Sequence, residues 1–206
     1  MSEKDEKYYR KLYKDKKILN RDKEVFRAFS KVHIMNNQHF SRMNFSNKSI
    51  DRFTKMGVIE RVEYFNKNSQ STEYYYKLTD YGKGYCDRQV FLEKQSYYSS
   101  RGIEHDLRMA DVYTELVLNK MDFEWRTEQQ LQQDFKDRME QIRKQEPSRY
   151  EELREQNFSA ADFSISFNGS VEYVEVITGS GSYTQSHLEA KENFATVMNT
   201  TVQYMR

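Results

Sequence analysis

The order of hydrophobic periodicities in the first half of the chain constrains its fold more than any other feature. Three short stretches, residues 22–35, 37–43 and 47–57, carry apolar side chains at helical spacing. Two alternating stretches, residues 58–65 and 73–79, follow and predict strands joined by a polar loop. The sequence therefore predicts three helices and then a two-stranded hairpin.

Residues at the ends of these segments support that prediction. Asp22 and Ser46 are placed as N-caps of the first and third helices, and Gly57 is placed as a C-cap. The apolar side of the first helix is expected to comprise Val25, Phe29, Val32 and Ile34. Three helices followed by a hairpin with a polar tip is the order of a winged helix-turn-helix, which we predict for residues 22–94.

Charge is distributed unevenly along the chain. The 206 residues carry a net charge of +1. Residues 1–101 hold 22 Lys and Arg against 13 Asp and Glu, a net +9, whereas residues 102–206 hold 11 against 19, a net −8. This asymmetry indicates a polyanion as the partner of the first half. A basic N-terminal segment, residues 1–21, precedes the first predicted helix, and the basic residues from Lys4 to Arg27 are expected to add salt-dependent contacts with phosphate.

Other classes of protein are disfavoured by what the sequence lacks. It has neither an apolar run of membrane-spanning length nor the apolar core of a signal peptide. A single cysteine, Cys86, excludes an intramolecular disulfide and a cysteine-based zinc site. We therefore expect a cytoplasmic protein without a membrane partner.

The third predicted helix carries side chains suited to DNA. Asn and Arg fit bidentate contacts with base edges, while Lys and Ser fit phosphate oxygens. These side chains are expected to face away from the apolar stripe of the helix, and the hairpin tip is expected to add contacts. The residues expected to bind double-stranded DNA are Asn47, Lys48, Ser49, Arg52, Lys55, Lys67 and Asn68.

Tyrosines in the hairpin permit two other roles. Residues 74–76 could stack on bases, or one tyrosine could attack a phosphodiester beside a metal held by histidines. The four histidines, His33, His39, His105 and His187, show no paired spacing for such a metal. Packing within the sheet is therefore the favoured role for these tyrosines.

The second half predicts a separate α/β domain, residues 103–206, after a linker at 95–102. Its expected elements are a helix at 103–119, a strand at 123–128, a polar helical insertion at 129–156 interrupted at Pro147, strands at 160–167 and 171–177, a helix at 186–198 and a strand at 200–205. Asn168-Gly169 between two alternating runs is a strong hairpin signal. The fold class expected for the whole chain is α+β: a winged helix followed by an αβββαβ domain.

Asp162 and Glu175, on neighbouring predicted strands, could hold a divalent cation between them. With an acidic residue on the preceding helix, Glu104 or Glu115, they resemble the PD-(D/E)xK nuclease superfamily. The position of the catalytic Lys in that superfamily is Ile177 here, although Lys191 could project back from the next helix. Without that Lys the carboxylate pair could bind Mg²⁺ or Mn²⁺ weakly or simply be the remnant of a site, so we expect no cofactor and no cleavage of DNA.

A narrower resemblance covers residues 22–204. The motifs YYYKLTDYGKGY, IEHDLRMADVYTEL, WRTE, ADFSISF, VEYVEVITGS and KENFATVMNTTVQY resemble, in this order, the replication-relaxation family of plasmids and conjugative elements. The matching positions are Leu78, Thr79, Gly82, His105, Asp106, Leu107, Glu128, Asp162, Glu175 and Lys191. The resemblance implies a DNA-binding accessory factor whose second domain dimerises or docks a relaxase or replication protein. A metal-dependent endonuclease and an autoregulatory repressor remain alternatives.

Overall fold

We describe a computed structural model of the chain, which covers residues 3–13, 18–66, 70–178 and 183–206. Helices and strands are mixed, and the strands form two sheets. The chain divides into two compact units, Met1–Lys120 and Met121–Arg206. None of the described helices is long and apolar enough to cross a membrane.

The first unit surrounds a three-stranded antiparallel sheet with the order β1-β3-β2. Its elements are α1 (Glu3–Leu12), α2 (Asn20–Val32), β1 (Ile34–Asn36), α3 (Asn37–Arg42), α4 (Asn47–Lys55), β2 (Ile59–Asn66), β3 (Ser71–Leu78), α5 (Asp80–Cys86) with a π-helical turn after it (Asp87–Phe91), and α6 (Ile103–Leu118).

Phenylalanine rings hold α2, α3 and α4 together. Phe26 of α2 meets Phe53 of α4 edge to face with the ring centroids 4.8 Å apart. Phe40 of α3 lies 5.1 Å from Phe45, and Phe29 contacts Phe40 at 6.0 Å. All five rings are buried, so this cluster is the core that fixes the three helices relative to one another.

Two predictions at the first of these helices are wrong. The helix ends at Val32 and Ile34 lies in β1, because His33 adopts a left-handed φ of 60° that breaks the helix. Asp22 is not the N-cap: Leu19 holds that position, and Asp22 lies in the first turn with its side chain buried. The expected roles of Ser46 and Gly57 are confirmed: Ser46 caps α4, and Gly57 follows α4 with a φ of +67°.

Helix α6 belongs to the first unit. The unit boundary lies after Lys120, not at residues 95–102 as expected. His39 Nδ1 accepts a hydrogen bond from the Asn36 backbone N–H, so its Nε2 carries the proton that is donated to Asp111 of α6 at 3.0 Å. Tyr98, within the expected linker, donates its backbone N–H to the Ser30 carbonyl. These long-range bonds join residues 95–119 to the first unit.

The second unit contains a four-stranded sheet with the order β4-β5-β6-β7. Its elements are β4 (Glu124–Thr127), α7 (Glu128–Gln145), α8 (Pro147–Leu153), β5 (Phe163–Phe167), β6 (Ser170–Val176), α9 (Gln185–Val197) and β7 (Val202–Met205). Neighbouring strands are antiparallel except β6 and β7, which are parallel and are connected through α9. Leu131 of α7, Phe194 of α9 and Tyr173 of β6 meet in the core on one face of this sheet.

Two local predictions in this unit are confirmed. The β5–β6 hairpin turns at Asn168-Gly169 with φ values of 49° and 81°, and Phe167 pairs with Ser170. The polar insertion forms two helices that are separated immediately before Pro147. Both features follow from local backbone preferences, which are visible in sequence.

Gly82, in the first turn of α5, generates the first testable prediction. A Cβ at Gly82 would lie 1.9 Å from the Val58 carbonyl oxygen, which is main chain and cannot rotate away. Thr79 caps the same turn by accepting the Gly82 N–H at 2.9 Å. We expect Gly82→Ala to lower the free energy of unfolding by about 2–3 kcal/mol, measured by urea denaturation.

Gly84→Ala on the same helix is the matched control. Its Cβ would meet only the end of the flexible Arg88 side chain, at 3.3 Å. Alanine in a helix interior is favoured over glycine, so this variant should be stabilised by about 0.5–1 kcal/mol. Similar effects of the two substitutions would contradict the close packing of α5 against Val58.

Candidate functional site

The N-terminal turn of α4 is exposed and polar. Ser46 Oγ accepts the backbone N–H of Ser49 at 3.2 Å, and the next two side chains, Asn47 and Lys48, face solvent. Unpaired backbone N–H groups and the helix dipole make such a terminus favourable for phosphate oxygens. Asn47 and Lys48 are therefore exposed, as the sequence predicts, while their contacts with DNA stay a prediction.

A groove of about 440 Å³ runs between α4 and the β2–β3 hairpin. Its polar and aromatic lining comprises Asn37, Asn47, Asp51, Thr54, Arg61 and Tyr76. A second groove of about 340 Å³ shares Asn37 and Asn47 and adds Arg21, Ser41, Asn44 and Ser46. Amide, hydroxyl and guanidinium groups lie at this surface beside the apolar side chains of Phe40, Phe45 and Ile50. Such polar groups contact base edges and phosphates in protein–DNA complexes.

Sequence reasoning missed several of the residues at this surface. Arg21 and Asn37 come from the starts of α2 and α3, while Arg61 and Tyr76 are directly paired residues of β2 and β3. The available signal was the alternation of the two strands, which places Arg61 and Tyr76 on one face of the hairpin once the register is known. Register itself depends on pairing that the sequence pattern left open.

The sequence predicts that Ser49 and Arg52 face solvent, and this prediction is wrong. Arg52 Nη2 donates to Asp22 Oδ2 at 2.8 Å, and Ser49 Oγ donates to Asp22 Oδ1 at 3.3 Å. Asp22 is 0% exposed and the Arg52 side chain 18%. The Arg52 guanidinium also lies 4.2 Å from the centre of the Phe53 ring. Both side chains therefore point toward α2, where they bond to the buried Asp22 carboxylate. A buried charge without such partners would destabilise the fold.

The other predicted DNA contacts have mixed outcomes. Lys55 Nζ bonds to Asp51 Oδ2 at 2.8 Å and lies 5.6 Å from the centre of the Tyr9 ring of α1. Its charge is thus partly neutralised by a carboxylate one turn earlier on α4. Lys67 and Asn68 lie outside the described residues.

Asp162, Glu175 and Lys191 form a compact buried cluster in the second unit. Lys191 Nζ lies 2.6 Å from Glu175 Oε2 and donates to the Ala160 carbonyl at 2.5 Å. Asp162 Oδ2 accepts the Val176 N–H at 2.7 Å. The sequence left open whether Lys191 could reach back from its helix, and α9 brings it directly to Glu175.

Burial governs the electrostatics of this cluster. Burial raises the pKa of Glu175, the nearby Asp162 carboxylate raises it further, and Lys191 and the Tyr183 hydroxyl oppose the rise. Tyr183 donates to Glu175 Oε1 at 2.7 Å while Lys191 holds Oε2, so both oxygens of this carboxylate are engaged. Two buried carboxyls and one ammonium leave the cluster with an excess of negative charge when both acids are ionised.

The fit of this cluster to a divalent cation is poor. Among the residues that the structure describes, no three His, Cys, Asp or Glu side chains are grouped as metal ligands. The Lys191 ammonium occupies the side of Glu175 that a cation would need. The acidic residues expected from the preceding helix, Glu104 and Glu115, lie on α6 in the first unit.

The hairpin tyrosines occupy different environments. Tyr75 is buried, and its hydroxyl donates to Glu73. Burial raises the pKa of Tyr75, so it is unsuited to act as a nucleophile. Tyr74 is exposed and Tyr76 half-buried. The predicted role in packing thus fits Tyr75, while Tyr74 has no such role in the core.

The chain was also compared with known proteins. No protein-family model, no curated protein and no solved structure matches it. The assignment of function therefore depends on the residues and the geometry described above.

Replacement of Lys191 provides a test of the buried cluster. Lys191→Met preserves side-chain length but leaves Asp162 and Glu175 without a cation, so the free energy of unfolding should fall by about 3–5 kcal/mol at neutral pH. The loss should shrink toward pH 4.5, the ordinary pKa of a glutamate, because Glu175 then becomes protonated in the unfolded chain as well as in the folded one. Urea denaturation between pH 4.5 and 8 measures the loss.

The sign of the pH dependence distinguishes charge from packing. Removing the ammonium raises the native pKa of Glu175 further, so the folded chain holds a proton that the unfolded chain releases, and stability falls as the pH rises. Lys144→Met, which breaks an exposed contact with Glu140, should have little effect at any pH. A loss at Lys191 that does not vary with pH would mean that this side chain contributes by packing alone.

Proposed function

We propose that the protein binds double-stranded DNA sequence-specifically, with the first unit acting as a winged helix. The observation that carries this proposal is the order α2-β1-α3-α4-β2-β3 around a sheet with the order β1-β3-β2. In that arrangement α4 takes the position of a recognition helix, and the β2–β3 hairpin takes that of the wing. The groove between these two elements is the proposed interface.

The exposed residues of α4 suggest how sequence is read. Asn47 is suited to adenine, and the Asp51 carboxylate can accept a hydrogen bond from the amino group of cytosine. Lys48, beside the capped N-terminus, is suited to a backbone phosphate. Arg52 is proposed to hold α4 in place rather than to contact bases, because its guanidinium is already bonded to Asp22.

Net charge supports a division of roles between the units. Residues 1–120 hold 24 Lys and Arg against 17 Asp and Glu, a net +7, and residues 121–206 hold 9 against 15, a net −6. Phosphate repels an acidic surface, so we assign DNA contact to the first unit and a protein partner to the second.

The second unit is proposed to be non-catalytic. Its order β4-β5-β6-β7, with the parallel connection through α9, is compatible with the nuclease-like fold that the sequence suggested. The endonuclease alternative receives less support, because both oxygens of Glu175 are engaged by Lys191 and Tyr183. A second copy of the chain, a relaxase or a replication protein are the partners that the proposed accessory role calls for.

The resemblance to the replication-relaxation family sets the proposed context as a plasmid or conjugative element. Its LTDYG motif has a structural counterpart: Thr79 caps α5, and Gly82 permits the close approach to Val58. Thr79 and Gly82 thus act in folding. An accessory factor and an autoregulatory repressor would both use the same DNA-binding domain, so these two residues fit either. Sequencing of element fragments retained by the protein would distinguish them.

Exposed residues of α4 test the proposal directly. A duplex selected from a random pool by the full chain should lose affinity on Asn47→Ala by about 1–3 kcal/mol, while binding to an unrelated duplex changes little. Lys48→Gln should weaken binding to both duplexes and reduce the salt slope by about one. Fluorescence anisotropy titrations at several salt concentrations measure both quantities.

Lys144→Gln is the matched control, since it removes one exposed positive charge from helix α7 of the second unit. It should leave both affinities and the salt slope unchanged. Equal losses for Lys48→Gln and Lys144→Gln would point to general electrostatics, and unchanged binding by both α4 variants would remove α4 from the interface.

A further inference from the structure

One face of the β2–β3 hairpin carries exposed aromatic rings. The register pairs Arg61 with Tyr76, Glu63 with Tyr74 and Phe65 with Thr72, so these six side chains share a face. Phe65 is 53% exposed and Tyr74 42% exposed. We call Arg61, Phe65 and Tyr74 the hairpin face.

An arginine lies directly over one of the two rings. The Arg61 guanidinium carbon is 4.5 Å from the centre of the Tyr74 ring, and Nη2 of the same residue is 3.6 Å from Glu63 Oε1. The contact with the ring and the ion pair with the carboxylate together hold a flat cation beside an aromatic ring. Phe65 extends this surface diagonally across the strands, toward the end of the hairpin.

The hairpin face is continuous with the groove beside α4. Arg61 and Tyr76 line that groove, and Tyr76 contacts Phe40 of α3 with the ring centroids 5.2 Å apart. From there the same side of the hairpin leads outward to Tyr74 and Phe65. A duplex held by α4 would therefore bring one of its strands to the hairpin face.

We propose that the hairpin face stacks an unpaired base of DNA next to the duplex bound by α4. This inference depends on the proposed function, because it adds a site for single-stranded DNA to a duplex reader. Aromatic rings and arginine planes stack on bases of any sequence, since every base has a π-face. The carboxylate of Glu63 offsets the charge of Arg61, so the site relies on stacking more than on attraction to phosphate.

The experiment compares two DNA probes bound by the full chain. One is the selected duplex, and the other is the same duplex with a short run of mismatched thymines beside the selected sequence. The wild-type protein should bind the mismatched probe on the order of tenfold more tightly, because a base that is already unpaired costs less to turn out of the duplex. Phe65→Ala and Tyr74→Ala should each remove most of this preference and leave the affinity for the paired duplex unchanged.

Conservative variants keep the result interpretable. Tyr74→Phe and Phe65→Tyr each retain a ring and should retain the preference for the mismatched probe. Loss of this preference in Tyr74→Phe would show that the hydroxyl, and not stacking of the ring, is responsible, and would overturn the inference. Glu63→Gln leaves the rings in place and should strengthen binding to both probes, since it unmasks the charge of Arg61.

The possible failures are distinguishable. Binding to the paired duplex without preference for the mismatched probe would overturn this inference and leave the proposed function intact. Equal weakening of both probes by Phe65→Ala and Tyr74→Ala would overturn it by making the hairpin an ordinary duplex contact. Binding to neither probe would overturn both the inference and the proposed function.

Discussion

The buried contact between Asp22 and the pair Ser49 and Arg52 determines which side of α4 meets solvent. Asp22 lies on α2 and is fully buried, and it accepts hydrogen bonds from both α4 side chains. Removing one partner from such a contact leaves a buried charge and typically costs about 3–5 kcal/mol. With the aromatic core on the same side, this contact fixes the rotation of α4 about its axis. Asn47, Lys48 and Asp51 are exposed as a consequence.

The second unit also contains a buried contact between charged side chains that joins a helix to a neighbouring element. Lys191 reaches from α9 to Glu175 on β6, and Asp162 is held by the main chain of the same strand. Acidic residues that resemble a metal site are thus engaged by other groups within the fold. Arg52 in the first unit and Lys191 in the second, which the sequence suggested for functional roles, both bond to carboxylates of a neighbouring element.

Features set by local backbone preferences could be predicted from the sequence. The Asn168-Gly169 turn, the Ser46 cap and the break before Pro147 each depend on a few adjacent residues. Features set by distant pairing could not. Ile34 continues the helical pattern of α2 but lies in β1, where it pairs with Lys77 of β3. Arg52 fits a polar helix face by spacing alone, and only the position of Asp22, 30 residues earlier, turns it inward. The unit boundary was misplaced for the same reason, since α6 is held by the distant His39.

The most direct test asks whether Arg52 only holds α4 against α2 or also contacts DNA. The double variant Asp22→Leu with Arg52→Met replaces the ion pair with apolar side chains and should remain folded, because no unpaired charge is left. Its affinity for the selected duplex should stay within about twofold of the wild-type value, since neither side chain is proposed to touch DNA. A folded double variant that loses the selected duplex as severely as Asn47→Ala would show that Arg52 contacts DNA, and would contradict the account.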